Sequence, residues 1–310
     1  MKPELKKFFI FLLKGIAIIL ILDFIIGSGL SFLHSKMKGG ERARAYYAIN
    51  KSKADVYVFG SSRALYHYHT LILQDSLHLS VYNAGRSAQT MLYHLPVFKM
   101  ILKRNKPKLV ILDINENELV KEDRKYDLVN SLLPYYRQDE AIRQSVDFVK
   151  PGYRYFRWSN ILPFNSSIFA ILLRAVRPDK SETDINGYIA VHGHRIKGVS
   201  LFDNCNDKYE FDPYIISALE EFVKLCKDNN IKLQVVTSPR FVRAKCRKFD
   251  LEKVESELKR MNANYINMAA NPKYLDKKEF MYDRAHLNYE GSIAFTKEIA
   301  SYLKRAYKFD

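Results

Sequence analysis

A hydroxyl, an imidazole, a carboxylate and several amides stand at the ends of apolar runs in this sequence. Asp55–His69 reads DVYVFGSSRALYHYH, so two serines, Ser61 and Ser62, follow an apolar run and a glycine. Far downstream, YDRAHLNYEG carries Asp283, His286 and Asn288. A hydroxyl whose proton is taken by an imidazole, itself oriented by a carboxylate, attacks acyl carbonyl carbons. Backbone or side-chain amides nearby would stabilise the oxyanion that forms. Serine at such a corner also caps helices, and Gly-Ser-Ser makes turns. Within the stretch alone both readings stand.

The elements around these residues give them a common place. DVYVFG, SVYNAG, KPKLVILDI and IKLQVVTSP read as strands, and helix-like stretches separate them. KLVILDI is nearly continuous in apolar residues, as a strand covered on both faces requires. In SAQTMLYHLPVFKMILKRN, Ser87 is the expected cap and Pro96 the expected kink. A helix near 250–261, the short strand ANYINMA and a closing helix from NYEGSIAF complete the alternation. Strands alternating with helices predict a parallel sheet between two helical layers, a three-layer, flavodoxin-like α/β sandwich. In such sheets ligands sit beyond the carboxyl ends of the strands. Four groups fall there: Gly60, Ser61, Ser62 and Arg63; Asn83, Gly85, Arg86 and Ser87; Asp113, Asn115, Glu116 and Asn117; Asp283, His286 and Asn288. The α/β domain is expected over 54–310, after a tether or short helix at 35–53. An aromatic and basic, mostly helical insertion interrupts it at about 120–210, with PYYRQDE and GYRYFRWSNILPF.

These blocks, in this order, resemble the SGNH (GDSL-like) hydrolase superfamily. FGSSR corresponds to its serine corner, with Ser61 where aspartate is usual and Ser62 in the nucleophile's place. NAGRS corresponds to the second block through Gly85, and DINENE to the third through Asn115 or Asn117. DRAH corresponds to the last through Asp283 and His286. The resemblance implies Ser62 as nucleophile, His286 as base and Asp283 as its orienting carboxylate. It also implies an oxyanion hole from the N–H groups of Ser62 and Gly85 and the side chain of Asn115 (alternatively Asn117). No cofactor is implied. Arg63, Arg86, His192 and His194 are further candidates for lining a substrate cleft. The His-x-His pair 192/194 lacks a third ligand in the pattern, so no metal is expected.

Residues 8–33 are almost wholly apolar and follow Lys2, Lys6 and Lys7. Their length suits one bilayer crossing and exceeds the usual core of a cleaved signal peptide, so residues 1–34 read as a signal anchor. Asp23 is the costly residue in that run. Basic residues flank both ends, and the positive-inside rule selects no orientation. The net charge of +16 favours anionic surroundings. No nucleic-acid-binding pattern accompanies it, so an envelope surface is expected and nucleic acid is not. Cys205, Cys226 and Cys246 are too scattered for a disulfide framework or zinc site. Anchored envelope members of the resembling superfamily acylate or deacylate surface polymers. The resemblance therefore implies an extracytoplasmic esterase or O-acyltransferase acting on envelope carbohydrate or glycolipid, or a non-catalytic partner of a membrane acyltransferase.

Overall fold

The computed structural model describes residues 3–177, 184–196, 210–241, 248–275 and 277–308. In chain order the elements begin with helices α1 (Pro3–Lys36) and α2 (Gly40–Asn50). Strand β1 (Val56–Gly60) leads to α3 (Ser62–His67) and α4 (Thr70–Leu77), and β2 (Val81–Asn83) leads to α5 (Met91–Leu102). Next come β3 (Leu109–Asp113), α6 (Glu116–Leu119), α7 (Glu140–Val149) and α8 (Ile168–Val176), with short 3-10 segments between the last three. A two-residue hairpin, β4 (Asp184–Ile185) and β5 (Tyr188–Ile189), precedes α9 (Pro213–Asp228). The chain ends with β6 (Lys232–Thr237), α10 (Lys248–Arg260), β7 (Asn264–Asn267), α11 (Pro272–Leu275) and α12 (Tyr289–Ala306). These elements form two compact units, residues 1–38 with 129–179, and residues 39–128 with 180–310.

The larger unit is a three-layer α/β sandwich. Its sheet is parallel throughout, in the order β2-β1-β3-β6-β7. The chain reverses its winding direction between β1 and β3, which opens a crevice at their carboxyl ends. Both strands are buried along their whole length, as their unbroken apolar sequence requires. Alternate side chains serve opposite layers. Phe59 meets Phe98 of α5 and Phe222 of α9, with ring centroids 5.6 and 5.4 Å away. Val56 and Val58 instead join the core built on Tyr68, Leu73, Phe295 and Ile299, where α12 packs on α3 and α4. β7 is the half-exposed edge strand.

Two local expectations change. α5 is capped by Thr90, whose hydroxyl accepts from the Leu92 N–H, and not by Ser87. Ala88 adopts a positive φ of 60°, so the chain is still turning at Ser87. The 35–53 stretch contains α2, which buries Arg44, Ala45, Ala48 and Ile49 and packs on α5. The α/β unit therefore begins at Gly39, because α2 belongs to one of its helical layers.

The smaller unit is built on α1, a helix long and apolar enough to cross a membrane. Only Gly27, Leu30 and His34, spaced along one stripe, are buried on it. Leu30 packs with Phe164 and Ile171, and Leu33, Met37, Ile161 and Ile168 pack around them. Asp23 accepts from the Asn160 backbone N–H at 2.7 Å, the Asn160 side-chain amide at 2.8 Å and the Ser159 hydroxyl at 2.5 Å. A β-carbon at Gly27, one turn further on, would collide with Asn160, so the loop at 159–161 sits directly on the helix backbone. Residues 129–179 thus group with α1, whereas the sequence reads them as part of an insertion in the α/β domain.

Candidate active site

Ser62 is the first residue of α3, at the exit of β1. The turn is made by Gly60 at φ 133°, where a β-carbon would collide with the carbonyl oxygen of Asp113. Only glycine fits, and the corner delivers Ser62 to the carboxyl edge of the sheet. His286 comes to the same corner from the loop before α12, across 224 positions of sequence, with Nε2 2.7 Å from Ser62 Oγ. Its Nδ1 lies 2.9 and 3.0 Å from the two carboxylate oxygens of Asp283. A carboxylate beside Nδ1 sets the tautomer: Nδ1 carries the proton and Nε2 accepts from the serine hydroxyl. Asp283 Oδ1 also accepts from the backbone N–H groups of Ala285 and His286, at 2.8 and 2.9 Å. Partial burial pushes its carboxyl pKa up, but hydrogen bonds from the His286 ring and these amides outweigh burial and hold it below the usual carboxylate range.

Several side chains fix this loop. His67, fully buried, accepts the Leu287 N–H at Nε2 (3.0 Å) and lies 2.9 Å from Ser238 Oγ through Nδ1. Burial, then the charges of His286 and Arg63, keep His67 neutral by pulling its pKa well below 6.5. The Tyr66 ring stands edge-on to His286, centroids 5.4 Å apart. On the other side, residues 191–195 run along the loop. Val191 carbonyl accepts from Tyr289 N–H at 2.8 Å, and Arg195 N–H donates to Tyr282 carbonyl at 2.5 Å. His194 Nδ1 lies 2.9 Å from Met281 carbonyl, and the exposed His192 ring is 5.0 Å from that of Tyr289. Both histidines are thus part of a strap against the loop that carries Asp283 and His286. Asn288 caps α12 by accepting from Gly291 N–H at 2.9 Å. Tyr66, Ser238 and Arg195 carry no sequence signal of this kind, since each acts across a long sequence separation.

The oxyanion candidates fare differently. Ser62 N–H, at the first helical position, has no intrahelical acceptor. Gly85 N–H is donated to Asn83 Oδ1 at 2.9 Å. Glycine is needed there because a β-carbon would stand 2.8 Å from Leu65 N and 2.9 Å from Ala64 Cβ. Gly60 lies opposite Asp113 in the sheet, so Ser62 and Asn115 each follow a register pair by two residues. Asn115 donates its side-chain amide to Glu118. Asn117 is exposed two residues on, and its carbonyl accepts from Lys125 at the rim of an open cavity of about 840 Å³ with Lys121 and Arg124.

Two expected substrate contacts point elsewhere. Arg63 is 5% exposed and turned beneath the corner, where its Nε is 3.7 Å from Asp113 and Nη1 is 3.4 Å from Ser238 carbonyl. Asp113 also accepts from Tyr68 hydroxyl at 2.7 Å. A buried cation is held by such a partner, so Arg63 supports the site from below. Arg86 lies across the Tyr93 ring at 5.1 Å, 3.9 Å from Glu41 of α2. It bridges the Tyr93 ring of α5 and Glu41 of α2. Among the described residues no group of three or more His, Cys, Asp or Glu side chains is placed to hold a metal ion. Cys226 is buried in α9, where burial pushes its thiol pKa up to about 12, and Cys205 and Cys246 lie outside the described residues.

No family model and no curated protein matches the sequence. Among solved structures, the chain is similar to the psychrotrophic esterase EstA from Pseudoalteromonas sp., in a form inhibited by monoethylphosphonate. That alignment has 11% identity and a TM-score of 0.42, over 81% of this chain and 98% of the other. It is also similar to the acetyl xylan esterase AlAXEase, at 12% identity and a TM-score of 0.40, over 83% and 100% of the two chains.

Proposed function

We propose that the chain is a membrane-anchored serine esterase or O-acyltransferase of SGNH type, with Ser62, His286 and Asp283 as its catalytic residues. The observation that carries this reading is the 2.7 Å approach of His286 Nε2 to Ser62 Oγ, with Asp283 behind the ring. Ser62 Oγ attacks the ester carbonyl while His286 Nε2 takes its proton. The C–O bond to the leaving alcohol then breaks, and His286 returns the proton to that alcohol. An acyl-Ser62 ester remains. Water, or a hydroxyl of an acceptor, enters by the same proton route and frees Ser62, giving a carboxylic acid or a new ester. Ser62 N–H and Asn115 are the proposed oxyanion donors, Asn115 exchanging its bond to Glu118 for one to the oxyanion. The α1 helix is the proposed anchor, with the α/β unit outside the cytoplasm. The basic surface suits acyl (acetyl) esters on an anionic envelope carbohydrate or glycolipid.

The test is covalent labelling of the full chain with a fluorophosphonate. Labelling of the parent protein, lost in Ser62→Ala with an unchanged circular dichroism spectrum, is expected. A folded parent protein that takes no label would refute the nucleophile. It would favour a non-catalytic partner of a membrane acyltransferase.

A further inference from the structure

We propose that residues 148–176 form a second membrane-binding element, one that lies in the headgroup interface of an anionic phospholipid bilayer beside α1. This rests on reading α1 as the anchor. Helix α8, IFAILLRAV, is apolar on two faces. Ile168 and Ile171 face inward and pack with Leu30, Leu33 and Phe164. Phe169, Leu172, Leu173 and Val176, at i, i+3, i+4 and i+7, form a second stripe that is exposed, with Phe169 and Val176 at 79% and 80%. A helix apolar on more than its packed face belongs in a core or in lipid. Phe148, Tyr155 and Leu162 of the same segment are also exposed, and Trp158, the chain's only tryptophan, is 76% exposed. Exposed Arg154, Arg157 and Arg177 flank these rings, and Arg154 lies 5.3 Å from the Tyr155 ring centroid. Tryptophan, tyrosine and arginine around an apolar stripe is the composition that headgroups select.

The depth follows from α1. Its 34 residues measure about 50 Å, against about 30 Å of bilayer hydrocarbon. A span of about 20 residues that starts at Phe8 leaves the hydrocarbon near Gly27. Asp23 and Gly27 seat the loop at 159–161, and Leu30 and Leu33 hold α8. The exposed stripe is therefore held at the level where α1 emerges. Asp23, a costly residue in isolation, has its acceptors filled by that loop.

Trp158 reports on this directly. The full chain is reconstituted into phosphatidylcholine–phosphatidylglycerol vesicles, with nitroxides at either a shallow or a deep acyl position, and flotation confirms association. The expected result is blue-shifted Trp158 emission, quenched about twofold by the shallow nitroxide, more weakly by the deep one and little by aqueous iodide. A chain that floats while Trp158 stays open to iodide and unquenched by lipid overturns this inference and leaves the anchor intact. Strongest quenching from the deep position overturns the interfacial placement. A chain that does not float overturns both readings.

Discussion

His67 holds the loop at Leu287 only as a neutral ring, and this makes the α/β unit sensitive to acid in a calculable way. Its Nε2 accepts the Leu287 N–H, so protonation would set two donors against each other in a site without solvent. Burial and neighbouring charge hold its pKa well below 6.5, and burial, then the charge of Arg86, pulls His94 down to about 3. In the unfolded chain both rings titrate near their ordinary value. Below that value the unfolded state binds more protons than the native state, so stability falls as pH falls. A histidine that stays neutral in the fold loses about 2 kcal/mol between about pH 7.5 and about pH 5, and the pair about 4. Carboxylates held low, such as Asp283, lose stability only further down, as pH falls below their ordinary range. The assay is urea unfolding of the full chain in detergent at these two pH values, followed by far-ultraviolet circular dichroism. His67→Gln keeps an acceptor within reach of Leu287 and cannot titrate in this range. Its acid-induced loss should be smaller than the parent's by about 2 kcal/mol. Equal losses in the two proteins would refute the neutral-ring account, and a parent protein stabilised by acid would reverse its sign.

Two further outcomes follow from the corner and the dyad. Asp283→Asn should lower ester turnover by about four orders of magnitude with the fold retained, because the imidazole loses its orienting carboxylate; steady-state kinetics beside circular dichroism reads both. Gly60→Ala should destabilise the α/β unit by about 3 kcal/mol or more, from a forbidden φ and the collision with Asp113 carbonyl; the urea midpoint measures it.

Much of the sheet is legible in the sequence because buried parallel strands leave unbroken apolar runs, as in VYVFG and LVILD. The meeting of Ser62 with His286 is legible too, since strand order sends both to one edge. What local pattern does not carry is the direction of a charged side chain. Arg63 reads as a substrate-cleft candidate, yet its partner Asp113 lies 50 positions on, at the end of the adjacent strand. Gly85 reads as an oxyanion donor, but Asn83, two residues earlier, holds its N–H. The 35–53 stretch reads as either a tether or a short helix because the buried face of α2 includes an arginine, Arg44. Asp23 reads as a penalty in an apolar helix until Ser159 and Asn160, more than 130 residues away, fill its acceptors.

The separation of Ser62 from its imidazole has a consequence for biosynthesis. The ribosome makes the proposed nucleophile 224 positions before the base, and α12, which docks on α3 and α4, is made later still. On the proposed reading of the site, Ser62 therefore has no base to take its proton until His286 has been made and its loop has folded against β1 and α3.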